Sequence, residues 1–312
     1  MNRRSLLLAS LASPAIAQPW RPERPVEIIV GFAPGGGTDL DARSYGAAME
    51  RVLGVPFVVN NRAGAGGEVA LAAVARARPD GTTLGTTNMP GIVTIPIERR
   101  AQFHLNDFAP IANLVTDPSA ITVHAQSPFQ TLADVINRAR ETPDTLTYAS
   151  PGVGTDDHLQ LVLLMAATGV RITNVNYAGD APMRTALLGR QVDMMGLNLG
   201  ASAQNRDNTR ILAHAGATRS RFAPDVPTLR ELGFDITMAS ERGIVAPAAT
   251  PTAILERLRE ATATVAQDPE FRRQIESRNT EPLYEAAAPW FERLRAREGD
   301  YRALWQRTPW SG

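Results

Sequence analysis

Residues 26–39 have the sequence VEIIVGFAPGGGTD, in which a short apolar run meets a proline and three glycines. An apolar run of this length, bounded by Gly and Pro, predicts a buried strand that enters a tight loop. Thr38 is then expected to cap a helix that ends at Gly54, where a glycine commonly closes the last turn. The stretch therefore predicts a strand–loop–helix unit, the repeating unit of parallel α/β sheets.

Strand and helix patterns continue to alternate along the chain. Further strands are predicted at residues 57–59, 82–87, 145–150, 175–177 and 192–195. Helices are predicted between them at residues 68–78, 131–139, 154–169 and 182–188, with Thr131 and Asp180 as caps. The last third is mostly helical, over residues 251–265, 269–278 and 289–303. This alternation predicts parallel sheets with helices on both faces, in two α/β domains separated near residues 120–128.

The composition is that of a two-domain globular protein. A length of 312 residues suggests two domains, and 32 basic against 32 acidic residues give no electrostatic reason to expect a nucleic-acid partner. The absence of cysteine excludes disulfides, thiolate metal sites and cysteine nucleophiles. All basic residues are arginine, which excludes a Walker A loop and Schiff-base lysine chemistry. We expect neither a cofactor nor a bound metal.

The first 17 residues have the pattern of a secretory signal peptide. Two arginines precede an apolar run over residues 6–16, and an Ala-Ile-Ala sequence ends at Ala17, where cleavage is expected. The run is too short to cross a bilayer, which takes about 20 apolar residues. A buried N-terminal helix is the alternative, and the arginine pair leaves Sec and twin-arginine export both open. We expect a mature chain that begins at Gln18 outside the cytoplasm.

Two glycine-rich loops follow predicted strands and are candidate binding sites for an anion. One covers residues 32–39 (FAPGGGTD) and the other residues 150–155 (SPGVGT), one in each expected domain. In open α/β sheets, ligands bind beyond the carboxyl ends of strands, where helix N-termini offer free N–H groups and partial positive charge. The alternative is a pair of tight turns with capping threonines. Neither loop has the third glycine of a dinucleotide-binding fingerprint.

Motifs for catalysis and metal binding are largely missing from the sequence. No serine lies in a G-x-S-x-G elbow, and the four histidines show no metal-ligand spacing. His158, three residues after Thr155, is expected to bind the ligand or to brace its loop with a hydrogen bond. A secreted hydrolase that pairs His158 with Ser150 or Asp39 is the alternative function.

Eight short segments in a fixed order carry a resemblance to a known family. They are PVEIIVGFAPGGGTD at residues 25–39, NRAGAGG at 61–67, PDG at 79–81, DFAPI at 107–111, LTYASPGVGTDDHL at 146–159, NYAG at 176–179, LGRQVD at 188–193 and ATRSRFAPDVPT at 217–228. On these segments the chain closely resembles the Bug/TctC-type solute receptors of tripartite tricarboxylate transport systems. Each segment alone is only moderately specific, and together they span some 200 residues.

The resemblance implies an α/β, two-lobed periplasmic-binding-protein fold of type II, the Venus flytrap. Two crossing hinge strands are expected near residues 120–124 and 236–246, with the C-terminal helices returning to the first lobe. Lobe 1 would comprise residues 18–122 and 241–312, and lobe 2 residues 123–240. Such a receptor is a periplasmic, monomeric, non-enzymatic protein that holds a small carboxylate between its lobes. Its partners would be the membrane components of the transporter, although a sensor for a signalling partner shares the same fold.

The resemblance also implies a set of ligand-binding residues. They are Phe32, Ala33, Gly35, Gly36, Gly37, Thr38, Asp39, Asn88, Ser150, Gly152, Gly154, Thr155, His158, Asn198 and Arg242. The sequence departs from the family where an acid often precedes the asparagine, here Leu197 before Asn198, and where an aromatic residue usually precedes Gly243. Arg242 at that second position is expected either to grip a second carboxylate of a doubly anionic ligand or to pair with Glu241 on the surface.

Overall fold

A computed structural model describes residues 20–310, so the predicted signal peptide lies outside the described residues. The strands are β1 (Val26–Val30), β2 (Phe57–Asn61), β3 (Thr83–Met89), β4 (Phe108–His124), β5 (Thr147–Ser150), β6 (Thr173–Asn176), β7 (Met194–Asn198), β8 (Thr209–His214), β9 (Ala239–Pro247) and β10 (Glu281–Ala286). The helices are α1 (Gly37–Leu53), α2 (Glu68–Ala75), α3 (Gly91–Glu98), α4 (Leu132–Glu141), α5 (Asp156–Thr168), α6 (Asp180–Leu188), α7 (Leu199–Ala203), α8 (Thr252–Gln267), α9 (Pro269–Glu276) and α10 (Ala287–Arg307). Within residues 20–310, no helix has both the length and the apolarity that a membrane span requires.

The strands form one mixed sheet in the order β2-β1-β3-β9-β4-β7-β5-β6, with β8 and β10 also paired to β4. β1, β2 and β3 are parallel to one another, and so are β5, β6 and β7. β9 is antiparallel to β3 and β4, and β4 is antiparallel to β7, β8 and β10. The prediction of parallel sheets is therefore wrong at the centre, because the chain leaves the first parallel set along β4 and returns along β9.

β4 divides these strands into a first group (β1, β2, β3, β9 and β10) and a second group (β5, β6, β7 and β8). It pairs with β9 as far as Pro118 and with β7 from Ser119 onward. The Ser119 N–H donates to the carbonyl oxygen of Met238, just before β9 begins, with an N···O distance of 3.1 Å. The first crossing thus lies just before the expected residues 120–124, whereas the second lies inside the expected residues 236–246.

Each strand group has its own apolar core. Ile28, Tyr45 and Leu258 are buried between β1, α1 and α8. Val135 and Tyr148 are buried in a second cluster built largely by β4, β5, α4 and α5. Full burial of a large apolar side chain contributes about 1.5–3 kcal/mol, so each cluster stabilises its own group.

The C-terminal helix α10 contacts both cores. Trp290 near its start packs in a cluster with Ile92 and Ile95 of α3, on the first group. Just past its end, Trp310 is 1% exposed and packs in the cluster that contains Tyr148. Helices α8 and α9 pack on the first group as expected, whereas the end of α10 packs on the second.

Of the three predicted helix caps, Thr131 is confirmed, and Thr38 and Asp180 are wrong. Thr131 forms a capping box at the start of α4, and Thr155 is the N-cap of α5. Gly36 and Gly179, rather than Thr38 and Asp180, are the N-caps of α1 and α6. The two predicted caps lie inside the first turn of their helices, and their side chains make hydrogen bonds to other parts of the chain.

Candidate ligand-binding site

The loop of residues 32–39, between β1 and α1, lies against the turn that starts α6. The Ala33 N–H donates to the carbonyl oxygen of Ala178 (N···O 2.9 Å), and the Gly37 N–H donates to Asp180 Oδ2 (2.8 Å). A Cβ at Gly36 would lie 3.1 Å from the same carboxylate oxygen. The first glycine-rich loop therefore contacts the second strand group through its backbone, as a site between two domains requires.

Asp39 braces this loop from behind and is 1% exposed. Its carboxylate accepts hydrogen bonds from the Gly35 N–H, the Arg43 guanidinium and the Asn61 amide. Burial alone would raise the pKa of Asp39, but these hydrogen bonds hold it below its usual value. Asn61 also donates to the carbonyl oxygen of Phe32. The hydrogen bonds of Asp39 and Asn61 therefore hold the loop in its conformation.

The second glycine-rich loop, residues 150–155, contacts a different part of the first group. The hydroxyl of Thr94 in α3 donates to the carbonyl oxygen of Gly154. A Cβ at Gly152 would lie 2.7 Å from the Cα of Gly66, so the two backbones are in direct contact. Each glycine-rich loop therefore contacts the opposite strand group. The hydroxyl of Thr155 donates within its own loop, to the carbonyl oxygen of Gly152 at 2.7 Å.

His158 braces the second loop as a neutral side chain. It is 4% exposed, and its Nδ1 accepts a hydrogen bond from the Gly154 N–H at 3.3 Å. Burial lowers the pKa of His158 to about 4. The Ser150 hydroxyl donates to Asn176 Oδ1 at 3.3 Å and has no hydrogen bond to His158 among the described residues. The nucleophile–base pair of the hydrolase alternative therefore has no support in this geometry.

Replacing His158 by asparagine should make stability less sensitive to acid. An unfolded chain protonates this imidazole near pH 6.5, whereas the folded chain protonates it only near pH 4. The stability it contributes is complete above pH 6.5 and decreases by about 3 kcal/mol as the pH falls to 4. Urea unfolding from pH 7.5 to pH 4.5 tests this, with His104→Asn on the surface as the control. Equal pH dependence in wild type and His158→Asn would contradict it.

Arg242 on β9 lies at the centre of a buried polar network between the two strand groups. Its Nη1 donates to Asp41 Oδ2 of α1 at 2.8 Å. Its Nη2 donates to Asp117 Oδ2 of β4 at 3.2 Å and to Asn198 Oδ1 at the end of β7 at 2.9 Å. The side chain is only 4% exposed. One guanidinium therefore connects the first group, the crossing strand and the second group.

The network continues through further polar side chains on both sides. The Asn198 amide and the Ser119 hydroxyl both donate to Asp156 Oδ2, each at 2.7 Å. Arg278 donates to Asp41 Oδ1 at 2.9 Å. On the first group, the Asn88 amide donates to the hydroxyls of Thr38 and Ser240, both at 2.9 Å. The structure thus brings Thr38 together with Asn88, and Asn198 together with Arg242.

The surface alternative for Arg242 is wrong. Glu241 points to other partners and pairs with Arg293. Arg242 already has two carboxylates of the chain, Asp41 and Asp117, as ion-pair partners. A second carboxylate of a ligand would have to compete with them for the guanidinium.

The electrostatics of this network are dominated by acids. Burial raises the pKa of Asp117 to about 7, although Arg242 acts in the opposite direction. Burial also raises the pKa of Asp156, against the hydrogen bonds from Ser119 and Asn198. The network holds three carboxyl groups, those of Asp41, Asp117 and Asp156, and two guanidiniums, those of Arg242 and Arg278, so with every group ionised it carries one more negative than positive charge.

Several residues of the site were not predicted as site residues from the sequence. They are Asp41, Asp117, Ser119, Asp156, Asp180 and Arg278. Asp117 and Ser119 interrupt the apolar pattern of β4, which was the available signal. Asp41, Asp156 and Asp180 lie in first or second helix turns, where acids are common for local reasons, and so gave no distinct signal.

The cavity beside the first glycine-rich loop is small, whereas a cavity of about 400 Å³ lies beside the second loop and is lined by Gly152, Asn176 and Ala178. A cavity of about 20 Å³ lies beside Gly37, Asp117, Asp180 and Arg278, which is room for about one water. A groove of about 580 Å³ lies elsewhere, between the loop of residues 215–221, β9 and α10, and none of the predicted site residues lines it. Within residues 20–310, no group of three or more acids and histidines is placed to hold a metal ion.

Comparison with known proteins decides the family. A family model described as the tripartite tricarboxylate transporter family receptor matches residues 42–296. The chain belongs to this receptor family. A UPF0065 protein from the gbd 5' region of Cupriavidus necator is 33% identical to it over 280 residues, which are 89% of this chain and 85% of that protein.

Solved structures of receptor proteins match nearly the whole chain. The periplasmic binding protein BugD is 28% identical and superposes with a TM-score of 0.86, covering 92% of this chain and 98% of its own. MatC from Rhodopseudomonas palustris with bound malate is 27% identical, with a TM-score of 0.85 and coverage of 91% and 99%. The resemblance predicted from the sequence is confirmed, and so is the two-lobed α/β fold with β4 and β9 as crossing strands.

Proposed function

We propose that this receptor captures a small carboxylate between lobe 1 (residues 18–122 and 241–312) and lobe 2 (residues 123–240). It would deliver the ligand to the membrane components of a tripartite tricarboxylate-type transporter. The observation that carries the proposal is the start of α1, where the Gly37 N–H already donates a hydrogen bond to a carboxylate of the other lobe, that of Asp180. Free N–H groups and the partial positive charge of a helix N-terminus suit a ligand carboxylate at the same place.

The ligand class is supported by the family and by one ligand-bearing relative. MatC holds malate in a structure that superposes on nearly the whole chain. The ligand would contact both glycine-rich loops, Thr38, Asn88, His158, Asn198 and Arg242. Contacts with both lobes favour the closed arrangement, while β4 and β9 take up the rotation at their crossings. This function needs no proton transfer and no covalent step.

The site of action is proposed to be the periplasm, with the signal peptide cleaved after Ala17 and a monomeric mature chain. The Ala-Ile-Ala sequence of residues 15–17 and the BugD relative support it. Sequencing the N-terminus of the protein from its native host should give Gln18. A mature chain that still begins with Met1 would contradict export by cleavage.

Binding of malate tests the function directly. Titration calorimetry of the mature protein should give saturable binding with one site per chain. Mass spectrometry of the bound compound after incubation should recover malate with unchanged mass. A panel that also contains small monocarboxylates and longer dicarboxylates covers the class. Conversion of any compound would favour the hydrolase, and no binding across the panel would contradict the receptor function.

A further inference from the structure

We propose that Asp180 is an internal carboxylate that holds the two lobes together and competes with the ligand for the first turn of α1. The inference rests on the proposed function for the identity of the competing ligand. The contact itself is direct: Asp180 Oδ2 accepts a hydrogen bond from the Gly37 N–H at 2.8 Å, across 143 residues of sequence. Through this contact, Asp180 sets both the closure of the cleft and the affinity for anions.

The carboxylate is placed between two helix starts. Asp180 is the first residue of α6, where an acid ordinarily complements the helix on which it lies. Its own helix is capped by Gly179 without a side-chain hydrogen bond, and the Asp180 side chain instead reaches the start of the 17-residue α1. A single negative charge therefore serves the N-termini of one helix from each lobe.

The surroundings leave room for one carboxylate only. A Cβ at Gly36 would lie 3.1 Å from Asp180 Oδ2, and one at Gly37 would lie 2.8 Å from Arg242 Nη1. Asp180 and Arg242 thus lie against neighbouring residues of the same turn. The adjoining cavity of about 20 Å³ holds about one water. An external carboxylate reaches this turn only when Asp180 leaves it.

Displacement has a cost that depends on the charge of the ligand. A hydrogen bond to a charged acceptor is about twice as strong as a neutral one, and the incoming ligand must replace it. The displaced Asp180 then remains beside the ligand, together with the acids Asp41 and Asp117 around Arg242. A dianion is therefore disfavoured more than a monoanion of the same shape. Asparagine at this position keeps the size of the side chain and removes the charge.

The experiment combines a measure of closure with a measure of affinity. Because the chain has no cysteine, Glu50→Cys on α1 and Glu141→Cys on α4 give one exposed label on each lobe. Energy transfer between the labels is recorded without ligand in the parent, in Asp180→Asn and in Asp207→Asn. Asp207 is an exposed acid of lobe 2, so its variant makes the same change of net charge. Calorimetry with malate and with lactate, which lacks the second carboxylate, gives the affinities.

We expect Asp180→Asn to lower the energy transfer of the ligand-free protein and to bind malate about tenfold more tightly, with a smaller gain for lactate. Asp207→Asn should match the parent in every measurement. Unchanged energy transfer in Asp180→Asn, or weaker malate binding, would overturn the inference. If the parent and both variants bind no carboxylate but Asp180→Asn still opens, the contact between the lobes is upheld and the proposed function fails instead.

Discussion

Arg242→Met should lower the free energy of unfolding by about 3–5 kcal/mol, because it removes the cation of the buried Asp117 and one of the two cations that pair with Asp41. Asp41 and Asp117 both pair with this guanidinium, and the arginine side chain is 4% exposed. Methionine fills similar volume, so the loss reports the unpaired charges rather than a cavity. Urea denaturation at pH 7.5 measures it, with an unchanged slope as the sign that the folded state is comparable.

Two further variants show whether the charges are the cause. Arg206→Met removes an arginine that pairs with Asp225 on the surface, where both side chains are more than a third exposed. Its loss should stay within about 1 kcal/mol. Adding Asp117→Asn to Arg242→Met should recover part of the lost stability, since the group that loses its cation is then neutral while Asp41 keeps its ion pair with Arg278. A loss below about 1 kcal/mol in Arg242→Met would contradict the central role of this residue.

Gly152→Ala should weaken malate binding by at least about tenfold while the chain still folds. Gly152 has φ +136°, and a Cβ there would lie 2.7 Å from the Cα of Gly66 in the other lobe. Neither backbone can yield as a flexible side chain does, so the methyl group keeps the lobes apart. A ligand that gains affinity by contacting both lobes then loses the contacts with one of them. Calorimetry gives the affinity.

Gly233→Ala is the matched control for this prediction. Gly233 also has a positive φ, +91°, but a Cβ there would have nothing within 4 Å. Both variants strain the backbone, which thermal unfolding registers, and only Gly152→Ala places a methyl group between the lobes. Equal malate affinities in the two variants would show that this contact is not needed for closure.

The regular strand–helix units could be predicted from the sequence, because a short continuous stretch of residues determines each of them. The apolar run and glycine-rich loop of residues 26–39 predict the start of β1 at Val26 and the start of α1 within two residues. β4 was not predicted from the sequence, because prolines and Asp117 interrupt its apolar pattern. The strand tolerates Pro110 where its pairing with β9 shifts register, a tertiary feature that no local pattern encodes.

The site was predicted in part for the same reason. Both glycine-rich loops lie between the strand groups, since loops at the ends of parallel strands gather at one edge. Their partners were not predictable, because Asp180 is 143 residues from Gly37 and Asp41 is 201 residues from Arg242. An aspartate in a first helix turn looks like a local cap in sequence. Only the packing of the two groups reveals that its carboxylate is used by the other one.

Helix α10 stiffens the connection between the two strand groups. Trp290 anchors it in one core and Trp310, just beyond its last turn, is buried in the other. Its 21 residues form a helix about 30 Å long. The two crossing strands β4 and β9 alone would bend and twist more easily. A rod fixed at both ends resists twisting. A rotation of one strand group relative to the other must therefore keep both tryptophans buried in their cores. Any other rotation would have to remove one of them from its core.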